Sequence, residues 1–330
     1  MIGCKRLVGR FLLWTLAFSS MALFSAPLFG QYAGQDALAM FPADTQQMSY
    51  TNLQELRAVP QYALIRAHLL SPQLRNLETL LKSAGVDPEK DVNELVLGWR
   101  GQVQDTTRFF GLAEGSFQPD QINDFFTKGG MPIQQYDGYN LYVFGSGAAR
   151  TDLFFAFIHD STAAFGRLGD LKALLDVRNN ERPALSSNAN FRSWEGDLEG
   201  LAPQWGIATG LAAANEAIPW LAGGKQLQFN PSALFGAVKA VLYRVNWTGG
   251  ATAHLSIRCQ NDAAANGFGQ LFSLLRNAQP ALKTSMSPAL SQVLQNLDVQ
   301  VDGSKVDLGA SASLSELSQL LNAPVASQAR

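Results

Sequence analysis

Short stretches of strand-like sequence, separated by turn residues, recur along most of this 330-residue chain. In the first clear example, Glu94–Trp99 and Arg108–Ala113 are two apolar runs, and a pattern with helical spacing follows from Pro119. The same order of strand, strand and helix begins again at three later positions, Leu153, Val238 and Leu297. Hairpin-connected strands need no crossover helix, so these four ββα units predict a mostly antiparallel sheet with helices on one face.

Other elements frame this repeated pattern. A helical N-terminal segment is predicted, with a capping box at Thr51-x-x-Gln54 and a later helix that begins at Ser71-Pro72 and ends at Gly85. A further hairpin is predicted around Asp137-Gly138, between the first two units. The predicted fold class is therefore α+β.

The domain organisation follows from changes in composition along the chain. We predict two related α+β halves, and whether they share one sheet stays open. The segments, in order, are a signal peptide or N-terminal anchor at 1–30, a connector at 31–41, the first half at 42–178, a polar connector at 179–204, the second half at 205–323 and a mobile tail at 324–330.

The N-terminus has the pattern of a secretory signal. Lys5, Arg6 and Arg10 precede the apolar run Phe11–Phe24, and no acidic residue occurs before Asp36. The sequence therefore predicts export to the periplasm or the extracellular space. The alternative is an uncleaved segment that anchors the chain, which would be its only association with a membrane.

Composition excludes several classes of protein. The 25 Lys and Arg residues are balanced by 27 Asp and Glu, so a basic nucleic-acid-binding protein is not expected. Hydrophobic residues make up 47% of the chain, which excludes a largely disordered protein. Two cysteines exclude a disulfide-stapled scaffold, and after removal of 1–30 only Cys259 remains, for which we predict a buried thiol.

One motif is similar to a known group of sequences. Phe157–Gly166, with the Leu-rich helix at 168–176, resembles a strand, Asp-x-Thr turn, strand and helix found in uncharacterised exported bacterial proteins of the domain-of-unknown-function type. Pro42–Thr45, Asn190-Phe191 and Pro203–Gly206 are also similar to theirs. The resemblance covers about half of the chain. It implies export and an α+β fold, and it supplies no catalytic residue.

Motifs for phosphate binding and nucleophilic catalysis are incomplete. Gly224-Lys225 is followed by glutamine, so the phosphate-binding loop fails. Gly145-Ser-Gly147 lacks the third glycine of a dinucleotide loop, and Ser146 lacks the surroundings of a nucleophile elbow. We interpret this segment as a hairpin turn.

The titratable residues also form no recognisable catalytic or metal-binding pattern. The three histidines are far apart in the sequence and lie on different elements, namely His68, His159 and His254. The densest acidic cluster lies near two tryptophans and suits either a glycosidase or a solvated connector, with members Glu195, Asp197 and Glu199 beside Trp194 and Trp205. The sequence therefore assigns no catalytic, cofactor-binding or metal-binding residue, and no cofactor.

Aromatic residues give the remaining indication of function. Seven phenylalanines concentrate in the first half and are predicted to be mostly core, or to line an apolar groove between sheet and helices: Phe109, Phe110, Phe125, Phe126, Phe154, Phe155 and Phe157. We therefore favour an exported, non-enzymatic envelope protein that binds a protein partner or an apolar ligand. A purely structural role at the cell surface is also open. The enzymatic alternative is an exported hydrolase, which requires a cleft with a histidine beside a carboxylate or a hydroxyl.

Overall fold

The strands of both halves of the chain lie in one antiparallel sheet. The computed structural model describes residues 32–69, 72–100, 109–198, 200–210, 236–282 and 288–322. Within these ranges there are twelve strands: β1 Thr45–Asn52, β2 Val92–Arg100, β3 Phe109–Gly115, β4 Ile133–Tyr136, β5 Tyr139–Phe144, β6 Leu153–His159, β7 Thr162–Arg167, β8 Gln204–Thr209, β9 Val238–Asn246, β10 Gly250–Cys259, β11 Asp298–Asp302 and β12 Lys305–Ser313.

The order of the strands explains how the halves are joined. It is β11-β12-β10-β9-β8-β1-β2-β3-β7-β6-β5-β4, and every neighbouring pair is antiparallel. The N-terminal strand β1 pairs with β2 on one side and with β8 on the other. The pairing of β1 with β8 therefore makes the sheet continuous across the two predicted halves.

Helices cover both faces of this sheet. The described residues include eleven α-helices: α1 Tyr32–Met40, α2 Leu53–Arg57, α3 Tyr62–Leu69, α4 Pro72–Ser83, α5 Pro88–Asp91, α6 Pro119–Lys128, α7 Leu168–Arg178, α8 Ala189–Gly196, α9 Asp262–Leu282, α10 Pro288–Gln295 and α11 Leu314–Asn322. Among them, no helix is both long enough and apolar enough to span a membrane.

The alternation of side chains along each strand divides the core into two layers. Phe110 on β3 and Phe154 on β6 pack in the layer that contains α1, α7 and α8. Their neighbours Phe109 and Phe155 point to the opposite face, where Phe126 of α6 packs against them. Successive strand residues face opposite sides of a sheet, so these helices lie on opposite faces. The prediction of helices on one face was therefore wrong.

The interpretation of the ββα segments as repeated units is not confirmed. Hairpins followed by helices occur at all four predicted places. However, the helix α6 after β2–β3 packs on one face, whereas α7 after β6–β7 packs on the other. The ββα segments share a local order without being equivalent units, because each helix packs on whichever face is apolar at its own position.

Two predicted connectors contain regular structure. Within 31–41, helix α1 is present, and its Ala33 and Ala37 are completely buried. The small side chains of these alanines allow the helix to approach the sheet closely. Within 179–204, a 3₁₀ turn at Leu185–Ser187 and helix α8 are present, and Asn188 caps α8 by accepting from the backbone N–H groups of Asn190 and Phe191. The predicted signal segment, the mobile tail and Gly224-Lys225 lie outside the described residues.

Candidate ligand-binding cavity

A cavity of about 340 Å³ lies between the sheet and the helices α3, α4 and α6. Its floor is formed by the face of the sheet opposite to α1, α7 and α8. Aliphatic side chains such as Leu77, Leu81 and Leu97 line it. Aromatic side chains complete the wall, and they are Trp99, Phe109, Phe117, Phe155, Phe157 and Phe165. A cavity of this size and lining suits an apolar small molecule.

Local sequence patterns bring these aromatic side chains to one face. Phe155 and Phe157 are two residues apart on β6, so both point into the cavity, whereas Phe154 points to the other layer. The rings of Phe155 and Phe157 meet edge to face with centroids 5.9 Å apart, and Phe117 lies 5.8 Å from Phe157. Contacts of this kind fix ring orientation and keep the wall in shape.

Part of the wall is polar but uncharged. Gln47, Ser49 and Thr51 alternate along β1 with the buried Met48 and Tyr50. The three polar side chains therefore share the cavity face of the central strand.

Strand β8 extends this polar area. Gln204 is the register partner of Thr51, and its Oε1 accepts a hydrogen bond of 3.1 Å from Trp247 Nε1. Beside it, Tyr243 covers Gly206, where a β-carbon would lie 2.5 Å from the tyrosine ring. Glycine is therefore required for Tyr243 to reach the cavity. We call Gln47, Ser49, Thr51 and Gln204 the neutral strip.

A network of charged residues lies at the helical side of the cavity. Arg66 of α3 forms ion pairs with Glu78 of α4 and Glu89 of α5. The hydroxyl of Tyr62 donates to Glu89 over 3.0 Å. Burial raises the pKa of the Tyr62 hydroxyl, and the Glu89 carboxylate raises it further. We call Tyr62, Arg66, Glu78 and Glu89 the charged rim. The side chain of Arg57 hydrogen-bonds to Tyr62, so two cations and two carboxylates meet here.

A second group of carboxyls lies on the opposite face, beneath α1. Glu94 on β2 and Glu114 on β3 are register partners, and Thr162 Oγ1 donates to Glu114 Oε1. Glu94 Oε2 accepts from the backbone N–H of Ala33 over 3.2 Å. Burial raises the pKa of Glu114 to about 7, and the nearby carboxylates of Asp36 and Glu94 contribute to the rise. Among the described residues no group of three or more His, Cys, Asp or Glu side chains forms a metal site.

Neither described histidine forms a hydrogen bond with a nucleophilic side chain. His159 is exposed, and its Nε2 lies 3.2 Å from Arg178 Nη2. His254 is exposed on β10 in a polar groove that Ser256 and Asp298 also line. Ser256 Oγ forms no hydrogen bond within the described ranges, so no hydrogen bond joins it to His254. The side chain of His68 lies outside the described residues.

The acidic cluster of the polar connector does not form a paired-carboxylate site. Glu195 is buried, and Asp197 forms an ion pair of 2.9 Å with Arg258. Trp205 is completely buried and stacks on Tyr50 with ring centroids 5.3 Å apart. Trp194 is half-buried and packs against Phe191 with ring centroids 6.1 Å apart. Because Glu195 is buried and Asp197 is paired with Arg258, these two residues do not form an exposed carboxylate pair beside it. Glu199 lies outside the described residues.

The remaining candidates have structural surroundings. Ser146 Oγ lies 3.4 Å from Asp152 Oδ2, whose other contacts, with the backbone N–H groups of Gly147 and Ala149, organise the turn. Cys259 is buried, and burial raises the pKa of its thiol. A raised pKa disfavours the reactive thiolate, in keeping with the predicted buried thiol.

Sequence reasoning identified the phenylalanines of the cavity but missed its polar groups. Phe109, Phe155 and Phe157 form its wall, while Phe110 and Phe154 belong to the other core layer. The charged rim comes from three separate helices, and no spacing in the sequence indicates that they meet. The sequence contains one weak indication of the neutral strip, namely the alternation of polar and apolar residues in β1.

Comparisons with known proteins give no functional assignment. No family model matches the chain, and no curated protein matches it. Similar solved structures include TP0453 in three crystal forms. Form I has 14% sequence identity and a TM-score of 0.49, covering 86% of this chain and 96% of TP0453. Form III has 12% identity and a TM-score of 0.48, covering 86% and 97% respectively.

Proposed function

We propose that this protein is an exported envelope protein that binds an apolar ligand in the cavity beneath α3, α4 and α6. The observation that carries the proposal is the aromatic and aliphatic wall around about 340 Å³ of space. Large apolar surfaces of this kind are seldom left open without a binding role. Export rests on the basic residues Lys5, Arg6 and Arg10 ahead of the apolar run at 11–24.

A protein partner is the second occupant that the sequence suggested. The cavity favours a small molecule, because its wall curves around the space from the sheet and from three helices. A partner would have to insert a side chain or a short segment into it. The hydrolase alternative is supported only by His254, which shares a polar groove with Ser256 and Asp298 but forms no hydrogen bond to Ser256.

The test is a titration of the mature protein with an uncharged fluorescent probe, N-phenyl-1-naphthylamine. Ala163 lines the cavity and is 8% exposed, so Ala163→Phe fills the space. Ala67 is exposed on α3, and Ala67→Phe is the matched control. We expect saturable binding that weakens at least about tenfold in Ala163→Phe and is unchanged in the control. Absence of saturable binding, or equal binding by all three proteins, would contradict the proposal.

A further inference from the structure

We infer that the ligand is a single-chain amphiphile with an uncharged, hydroxyl-bearing head group. This inference rests on the proposed function and adds the chemical class of the ligand. It comes from the polar groups around the cavity, which separate into the neutral strip and the charged rim. The remaining wall is apolar and distinguishes ligands by size alone.

The size of the cavity limits the ligand to one chain. A methylene group occupies roughly 30 Å³, close to the volume of a water molecule in the liquid. The cavity of about 340 Å³ then holds on the order of ten carbon atoms. Two acyl chains of ordinary length would not fit within it.

The charged rim disfavours an anionic head group. The guanidinium of Arg66 is already engaged by Glu78 through Nη2 and by Glu89 through Nε. The side chains of these three residues are only 20–29% exposed, so water screens them incompletely. A carboxylate or phosphate that entered beside Glu78 would meet a like charge, and the nearest cation, Arg66, is already paired with that residue.

A cationic head group is also disfavoured, for a different reason. It would have to compete with Arg66 for Glu78 and Glu89, and a displaced Arg66 would be left partly buried without its partners. Tyr62 adds no free acceptor, because its hydroxyl donates to Glu89. The rim is therefore a closed network that favours neither sign of added charge.

The neutral strip supplies the groups that a hydroxyl-bearing head needs. Hydroxyl and amide side chains both donate and accept hydrogen bonds, as a glycerol-like head does. Thr51 and Gln204 are opposite each other in the β1–β8 pairing, and Ser49 is two residues away on the same face. A diol can therefore contact more than one of these side chains while its chain lies against the aromatic wall.

The experiment compares three ligands with chains of equal length and different head groups. Monodecanoylglycerol, decanoate and decylammonium are used at neutral pH, below their aggregation concentrations, to displace N-phenyl-1-naphthylamine from the full mature chain. We expect monodecanoylglycerol to compete at a concentration at least about tenfold lower than either charged ligand. Decanoate or decylammonium binding as tightly as monodecanoylglycerol would overturn the inference.

Two variants separate the contributions of the rim and the strip. Glu78→Gln removes a like charge and one anionic partner of Arg66, so decanoate should gain affinity relative to monodecanoylglycerol by roughly three- to tenfold. Asp302→Asn removes the same charge from the edge strand β11 and should leave that ratio unchanged. Thr51→Val keeps the shape but removes a hydroxyl, and should weaken monodecanoylglycerol more than methyl decanoate. The inference would also be overturned if Glu78→Gln left the affinity for decanoate relative to monodecanoylglycerol unchanged and Thr51→Val weakened monodecanoylglycerol and methyl decanoate equally.

The outcomes distinguish the two proposals. If no ligand binds saturably and Ala163→Phe has no effect, the proposed function itself fails. If all ligands bind and Ala163→Phe weakens them, but the charged ligands bind as well as the neutral one, only the inference about the head group fails.

Discussion

Glu114 gives the protein a stability that should decrease as the pH rises. The carboxyl is half-buried beneath α1, between Glu94 on the neighbouring strand and the Asp36 side chain of the helix. Burial and these two carboxylates raise its pKa from the ordinary 4.5 to about 7, against the opposing effect of hydrogen bonds from Thr162 and Ser161. The unfolded chain therefore ionises Glu114 at a lower pH than the folded chain does.

The sign and size of the effect follow from this difference. A raised pKa of a carboxyl means that its stabilising contribution is fully present below about pH 4.5 and is lost as the pH rises through about 7. At about 1.36 kcal/mol per pKa unit, the shift corresponds to roughly 3 kcal/mol. Since the carboxyl of Glu114 is only half-buried, screening by water reduces this to ~1.5 kcal/mol.

The perturbation that tests this is Glu114→Gln, which keeps the shape and the hydrogen-bonding oxygen but cannot ionise. We expect the variant to be ~1.5 kcal/mol more stable than the parent near pH 8 and about equally stable near pH 5. The measurement is urea unfolding at a series of pH values, with the exposed Glu181→Gln as the control. A difference in stability that does not vary with pH would show that the pKa of Glu114 is not raised in the folded protein.

Two further predictions concern packing, and urea unfolding measures both. Asp170 is 2% exposed and pairs with Arg100 at 2.7 Å, so Asp170→Ala should lower the free energy of unfolding by about 3–5 kcal/mol. The control is Asp124→Ala, which removes an exposed ion pair and should lower it by less than about 1 kcal/mol. A β-carbon on Gly111 would lie 2.2 Å from a backbone oxygen of the neighbouring strand, so Gly111→Ala should cost about 1–3 kcal/mol. Gly196→Ala, at a helix position with open space, should not destabilise the protein. The packing described would be contradicted if Asp170→Ala destabilised the protein no more than Asp124→Ala, or Gly111→Ala no more than Gly196→Ala.

Local structure was predictable from the sequence where a turn or cap has its own chemistry. The hairpin at Asp137-Gly138 was predicted and is confirmed, because this dipeptide accepts positive φ angles. Asp302-Gly303 and Ser313-x-x-Glu316 have the same kind of local signal: the first forms the β11–β12 hairpin, and in the second Glu316 accepts from the backbone N–H of Ser313. In contrast, the first predicted capping box was displaced by one residue, because Asn52 caps α2 and Thr51 faces the cavity.

Long-range arrangement was not predictable in the same way. Strand β8 lies in a segment interpreted as a polar connector and the start of the second half, and its pairing with β1 spans more than a hundred residues. Helix α1 was missed because alanine and glycine dominate it, and its stability comes from burial of Ala33 and Ala37 against the sheet. The charged rim was not predictable either, because Arg66 and its partners Glu78 and Glu89 come from different helices.

If the cavity holds an apolar ligand in the cell, the ligand should remain bound during gentle purification. Native mass spectrometry of the protein, purified gently from its own envelope, tests this most directly, with Ala163→Phe prepared in the same way. We expect a reproducible excess mass that is lost on denaturation and is absent from Ala163→Phe. A parent protein that carries no excess mass, or an excess mass that Ala163→Phe retains, would contradict the proposed ligand binding.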